Sequence, residues 1–184
     1  MGIFVHILSS SKLMLKAIGS KKDLSKEVYY TYVFDIIQSQ EVQQLKQYTH
    51  HICTTRFQHC INVSYYSYRV CHIFGLNEKA VARAGLLHDL YYYDTHNRPS
   101  KVHLKNHPMT ALQNASERFS LSLMEKDIIS KHMFPITKEL PKYKETVVIV
   151  VIDKYCAIIE PLIFRLNKIC SIVRQKRPKY SIKK

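Results

Sequence analysis

Apolar residues recur at spacings of three and four along much of the chain, which is typical of helices that bury one face. The clearest example is the segment 56–74, whose apolar positions are Phe57, Ile61, Tyr65 and Tyr68. Thr54 or Thr55 can cap this helix at its start, and Gly75 follows its end as glycine often does. The pattern therefore predicts a long helix here.

The same pattern predicts several further helices, with Asn77 as a capping residue and Pro135 after the last of them. Their expected ranges are 24–38, 41–50, 78 to about 91, 108 to about 119, and 122–133. Pro108 is expected at the start of its helix, where a missing N–H costs nothing. The polar segment 94–105 is expected to be a loop, long enough to suggest a function.

The segment 146–168 is ambiguous, because its β-branched run 147–152 has the propensity of a strand. It continues without a turn signal, and an isolated strand with no partner is unstable. We therefore predict a helix.

Composition supports an all-α fold. The 184 residues include only 4 Gly and 6 Pro, too few turn formers for a many-stranded sandwich or barrel. We expect an all-α helical bundle at residues 51–170, an N-terminal helical extension at 1–50, and a basic tail at 171–184. The five cysteines form no C-x-x-C motif, which argues against disulfides and thiolate zinc sites. With no signal-peptide pattern and no transmembrane span, the chain is expected to be cytoplasmic.

The net charge of +14 is concentrated at one end, since eight basic residues and no acidic residue follow Pro161. They are Arg165, Lys168, Arg174, Lys176, Arg177, Lys179, Lys183 and Lys184. Such a tail can attract nucleic acid, other phosphates or an anionic membrane, or it can be a solvated terminus. Weak contact with nucleic acid is one expectation, and both readings stay open.

The candidate chemistry begins with His88 and Asp89, adjacent at the end of an apolar helix. Both can reach a metal beyond one helix edge, and imidazole with carboxylate suits Fe, Mn, Zn or Co. Alone, the dipeptide is a weak signal. Its flanks strengthen it, because histidines and acids recur on or beside the other predicted helices: His59 after Arg56-Phe57-Gln58, then His107, His132, and Asp153 before Lys154.

This order, H…HD…H…H…D, resembles the HD-domain superfamily of metal-dependent phosphohydrolases over roughly residues 56–160. The resemblance implies His59, His88, Asp89 and Asp153 as a four-ligand cage. His107 and His132 match the pattern of dinuclear members, in which Asp89 bridges the two metals. If either histidine is only structural, one ion is bound; on ligand number, we favour two divalent transition-metal ions.

The expected reaction is hydrolysis by a metal-activated water, which loses a proton near neutral pH. Asp89 is the central catalytic candidate. Arg56 lies one helical turn from His59 and can hold a substrate phosphate bidentately, or pair with a surface acid. Lys154 can contact phosphate or only solvate the site.

The expected function is hydrolysis of a phosphoester or phosphoanhydride bond, in a phosphate-containing small molecule such as a nucleotide or dinucleotide. The alternative is an HD-fold module that binds nucleotides or nucleic acid without turnover. Tyr91, Tyr92 and Tyr93 can stack on a base. Among the other histidines, His50, His51 and His72 are expected to be structural, and His96 and His103 to be loop residues.

Overall fold

A computed structural model describes residues 15–50, 54–94 and 100–175 of the chain. Helices dominate this part, and the only strands within it form a two-residue antiparallel ladder. The α-helices are α1 (Val28–Gln38), α2 (Gln40–Gln44), α3 (Arg56–Phe74), α4 (Glu78–Leu87), α5 (Ser100–Arg118), α6 (Leu123–Lys131) and α7 (Lys144–Gln175). Short 3-10 helices span Leu24–Lys26 and Leu45–Gln47, and the strands are β1 (Thr49–His50) and β2 (Thr54–Thr55). The all-α prediction is confirmed.

Helix ends follow the capping residues that the sequence indicated. The Thr55 hydroxyl accepts a hydrogen bond from the backbone N–H of Gln58, and Gly75 ends α3 in the left-handed conformation at φ 63°. Asn77 caps α4 through the N–H of Ala80. Ser122 and Glu125, which were not among the predicted caps, form a reciprocal capping box at α6.

The core is built around α3 and α4, which pack against each other closely. Gly85 of α4 faces the backbone of α3, and a Cβ atom placed on it would lie 2.7 Å from the Cα of Ser64. The N-terminal helices contribute Tyr29, Val33 and Ile36 to the same hydrophobic core. Tyr29 also shares a hydrogen bond of 2.7 Å with the Ser64 hydroxyl. Helix α1 therefore belongs to the packed body of the protein.

Two predicted boundaries are wrong in ways that affect the site. The helix predicted at 41–50 ends at Gln44, and β1 follows it, which brings His50 beside β2. The segment 94–105 is not a loop throughout, because α5 already begins at Ser100 and contains Pro108 in its interior. Because α5 begins at Ser100, His103 and His107 lie one turn apart on it. Their rings are stacked, with centres 4.6 Å apart. α5 continues through Pro108 without the one helical hydrogen bond that this residue cannot donate.

The ambiguous segment 146–168 is helical, as predicted, and lies within the 32-residue helix α7. Its buried side chains face the bundle: Thr146, Ile149, Val150, Asp153, Cys156 and Glu160. The helix predicted to end near residue 91 stops at Leu87, so His88 and Asp89 lie just beyond it. No helix within the described ranges is long and apolar enough to cross a membrane.

The close α3–α4 contact leads to a prediction of stability. In an exposed helix interior, Gly→Ala normally stabilises by roughly 0.5–1 kcal/mol. Gly85→Ala is expected to reverse that sign and lower the free energy of unfolding by about 1–3 kcal/mol, because the new methyl group meets α3 backbone.

Urea denaturation followed by circular dichroism measures the change, with exposed Lys79→Ala on the same helix as the control. A stability gain in Gly85→Ala would contradict the packing described for α3 and α4.

Candidate metal centre

Five helices deliver the predicted ligand residues to one place inside the bundle. α3, α5 and α7 supply residues from their interiors, whereas α4 and α6 supply residues that follow their last turn. All six residues are buried, with no more than 9% of any residue exposed: His59, His88, Asp89, His107, His132 and Asp153. The sequence order H…HD…H…H…D thus becomes one cluster of nitrogen and carboxylate donors.

Asp89 lies at the centre of this cluster, with different neighbours on its two oxygens. Its Oδ1 is 3.3 Å from His107 Nε2 and 3.6 Å from His132 Nε2. Its Oδ2 is 3.8 Å from His88 Nε2. One carboxylate therefore joins two groups of histidines.

Asp153 completes the group on the His88 side. Its Oδ1 is 3.0 Å from His59 Nε2 and 3.7 Å from His88 Nε2. Ligand atoms of His59, His88 and Asp89 lie within 4.8 Å of one another, and so do those of Asp89, His107 and His132. Two three-residue sets, each of a size that can hold an ion, therefore share Asp89.

Three histidines are held with Nε2 pointing inward, because each Nδ1 faces a carbonyl oxygen that can only accept. His88 Nδ1 donates to Gly85 O (2.8 Å), and His132 Nδ1 donates to Ile129 O (2.8 Å). His107 Nδ1 donates to His103 O at 3.0 Å. In neutral rings each Nε2 then carries a lone pair and no proton.

These inward lone pairs need a positive partner. The Nε2 atoms of His107 and His132 are only 2.9 Å apart. His88 Nε2 and Asp89 Oδ1 are buried and have no hydrogen-bond partner among the residues described. A buried polar atom without a partner is costly, and a cation between these atoms would satisfy them.

The buried carboxylates of the cluster also require positive charge nearby. Asp89, Asp153 and Glu160 are buried carboxylates, and none pairs with a lysine or arginine in the part of the chain that the structure describes. Burial opposes ionisation of Asp89, but His88 and His107 hold the pKa of this carboxyl well below its usual range. The donor set therefore fits divalent cations bound by nitrogen and carboxylate oxygen.

The histidine pKa values follow from these surroundings. Burial, together with nearby His88 and His107, lowers the pKa of His132 to about 3, which favours the neutral form. For His59, burial is outweighed by hydrogen bonds to Asp153 and Glu160, which raise its pKa to about 10. His132 is thus a neutral ligand candidate, while a proton on His59 balances two carboxylates.

Glu160 is a site residue that the sequence pattern did not reveal. Its Oε1 accepts hydrogen bonds from His59 Nδ1 at 3.0 Å and from Asn62 Nδ2 at 2.8 Å. A carboxylate behind a histidine orients the ring and makes its other nitrogen a better ligand. The contact joins residues 101 positions apart, and the only sequence signal was an acid two turns after Asp153 on the same helix face.

Arg56 is placed differently from the expectation. Its guanidinium is fully buried and donates to the carbonyls of Tyr91 (2.7 Å) and Tyr93 (3.1 Å). It also lies 3.6 Å from the centre of the Tyr91 ring. These contacts anchor the segment after Asp89 and do not support the prediction that Arg56 holds a substrate phosphate.

A cavity of about 300 Å³ opens beside the cluster. Site side chains and Lys154 form one part of its wall, and apolar side chains form another: Leu104, Met133, Ile136 and Ala157. The Lys154 ammonium donates to Val150 O at 3.2 Å, and burial lowers its pKa although Asp153 acts in the opposite direction. Lys154 is therefore placed where a ligand in the cavity can meet it.

Other predicted roles have mixed outcomes. Tyr91 lines the cavity, but its ring is buried beneath Arg56. His103, expected in a loop, lies in α5 and lines the cavity near the Tyr91 and Tyr93 hydroxyls, at 3.4 and 3.3 Å.

The remaining histidines are spread over the protein. His50 also lines the cavity and stacks on His59 at 3.9 Å. His72 is exposed and pairs with Glu78, outside the site. His51 and His96 lie outside the described residues.

An all-α bundle with a buried histidine–aspartate cluster defines the class of protein, a helical metal-binding fold. A family model described as the HD domain matches residues 56–158, more than half of the chain, and the chain belongs to this family. The HD domain places it in a superfamily of metal-dependent phosphohydrolases. No curated protein and no solved structure gives a significant match to the chain.

The contacts of Glu160 yield a prediction of metal affinity. Glu160→Gln keeps the shape of the side chain but removes the charge behind His59, and a metal affinity about 10-fold to 100-fold lower is expected. Competition with a coloured chelator measures the dissociation constant.

Exposed Glu139→Gln is the matched control and should bind metal as the unchanged protein does. Equal metal affinity in both variants would show that Glu160 does not support a metal ligand.

Proposed function

We propose that this protein is a hydrolase that cleaves a phosphate ester with the help of two divalent metal ions. The observation that carries the proposal is the position of Asp89, whose two oxygens face different histidine groups. In the proposal, His59, His88 and Asp153 bind one ion, His107 and His132 bind the other, and Asp89 bridges them. Ions bound there would supply Lewis acidity that activates water near neutral pH and stabilises charge on phosphate.

The residues of the chain have definable tasks in this proposal. Carbonyls of Gly85, His103 and Ile129 keep three imidazole rings in the tautomer that presents Nε2. Glu160 does the same for His59 through its Nδ1. These contacts exist before any substrate arrives, so the donors need little rearrangement, which favours a site built for turnover over incidental binding.

The cavity supports a small organic phosphate as the substrate. Lys154 is the one lysine or arginine among the described lining residues, which suits one phosphate group better than a polyphosphate. The apolar wall of Leu104, Met133 and Ile136 suits a hydrophobic or flat group attached to that phosphate. A volume of about 300 Å³ favours a molecule the size of a nucleoside monophosphate over a dinucleotide.

Asp89→Asn tests the central claim. The amide keeps the size of the side chain but removes the charge, and its NH₂ group cannot bind a cation. We expect loss of at least about half of the bound metal and a drop in kcat of about 100-fold to 1,000-fold, on the scale of losing one electrostatic contact in the transition state.

The measurements are metal analysis of protein purified without chelator, and release of phosphate from a nucleotide panel with Mn²⁺ or Fe²⁺. Asp35→Asn, an exposed carboxylate paired with Arg83, is the matched control. A wild-type protein that holds no metal and hydrolyses nothing in the panel would favour a binding module without turnover and refute the proposal.

Lys154→Gln tests how the phosphate is held. Removing the charge is expected to raise KM about 10-fold with bound metal unchanged, because the ammonium would contact the substrate in both the ground and the transition state. Steady-state kinetics and metal analysis give both values.

The control for this change is Lys126→Gln, which alters an exposed lysine on α6. A KM that does not change in Lys154→Gln would remove Lys154 from the binding site without affecting the proposal for the metal ions.

A further inference from the structure

Helix α7 has a second apolar face that is exposed in the described part of the chain. Seven large apolar residues on it are each at least 49% exposed, and they recur at spacings of four, four, three, four, four and three: Val147, Val151, Tyr155, Ile158, Leu162, Leu166 and Ile169. We call this row the α7 stripe. Its spacing is that of a seam that a facing helix fills.

The stripe lies on the side of α7 opposite to the bundle. At about 100° per residue, the stripe and the buried row that contains Ile149, Asp153 and Glu160 are separated by roughly 180° around the helix axis. A helix that is apolar on two opposite faces is normally covered on both. The bundle covers only one of them.

The extent of the stripe suits a protein partner. It runs from Val147 to Ile169, about 33 Å along the helix. At roughly 100 Å² for each half-exposed side chain, it offers on the order of 700 Å², close to the ~800 Å² that each partner buries in a standard interface. Isolated apolar residues on a surface need no partner, but a continuous patch of this size does.

We propose that the α7 stripe is the interface of a homodimer, in which α7 of a second copy packs antiparallel across it. Ile158 is the middle member of the row, 11 residues from Val147 and 11 from Ile169. A two-fold axis beside Ile158 therefore places each end of one stripe against the opposite end of the other. The surface is self-complementary in this arrangement.

The distribution of positive charge along α7 favours the antiparallel arrangement over a parallel one. Arg165 and Lys168 are exposed near the C-terminal end of the stripe, and within residues 161–169 no acidic side chain accompanies them. In a parallel pair these cations would lie side by side, which is destabilising. In the antiparallel pair they are separated by most of the length of the stripe.

The test is the oligomeric state of the full chain. Light scattering after gel filtration at about 50 μM should give twice the chain mass of 21.6 kDa. Ile158→Lys places two like charges together at the two-fold axis and should weaken the dimer at least about 100-fold, giving a monomer. Circular dichroism checks that the variant is folded, and Leu162→Lys, further along the stripe, should also give a monomer.

Ile73→Lys is a closely matched control, because Ile73 and Ile158 are both 69% exposed, and Ile73 is not on α7. It should remain a dimer. A wild-type monomer, or a dimer that both stripe variants leave intact, would overturn the proposal.

Other occupants of the stripe would also be recognised. A monomer that dimerises only when residues 1–14 are removed would show that the N-terminal segment covers the stripe. A monomer that binds vesicles containing phosphatidylserine, with binding lost in Ile158→Lys, would show a membrane surface instead. Either result would overturn the homodimer.

Discussion

Buried negative charge is the constraint on which the interior of this protein depends. Asp89, Asp153 and Glu160 lie inside a helical bundle, where isolated carboxylates are strongly disfavoured. Their neighbours are histidines whose inward nitrogens can take either a proton or a metal ion. The cluster therefore requires added positive charge, which protons on the histidines or bound divalent ions would supply.

The fold meets this constraint mainly through helix ends. His88 and His132 each follow the last turn of a helix, where carbonyl oxygens lack helical donors, and those carbonyls fix the Nδ1 protons. The close approach of α4 to α3 at Gly85 holds the end of α4 beside His59. The contacts that pack α4 against α3 and satisfy the helix ends therefore also orient the histidine donors. A substitution that disturbs the α3–α4 contact is expected to disturb these donors as well.

The sequence indicated the six donors because their order and their flanking residues form a recognisable pattern, and it indicated the helices through their periodicity and caps. It did not reveal Glu160 or His50, whose roles depend on contacts with His59 across the bundle. For Arg56, local spacing puts this residue on the face of His59 but cannot show that its guanidinium donates to the Tyr91 carbonyl. The expected helix start at Pro108 is also wrong, because α5 begins eight residues earlier at Ser100 and continues through the proline.

Helix α7 contributes both to the metal cluster and to the α7 stripe. One face carries Asp153 and Glu160 to the metal cluster, and the opposite face carries the α7 stripe. The two rows share no residue, so the surface of α7 can be specialised for a partner without changing a single donor. The two rows share one backbone. Bending of α7 would therefore move Asp153 relative to His88, and Asp153 Oδ1 is 3.7 Å from His88 Nε2. A second copy packed along the stripe would therefore stiffen the helix that holds one of the two bridged groups in place.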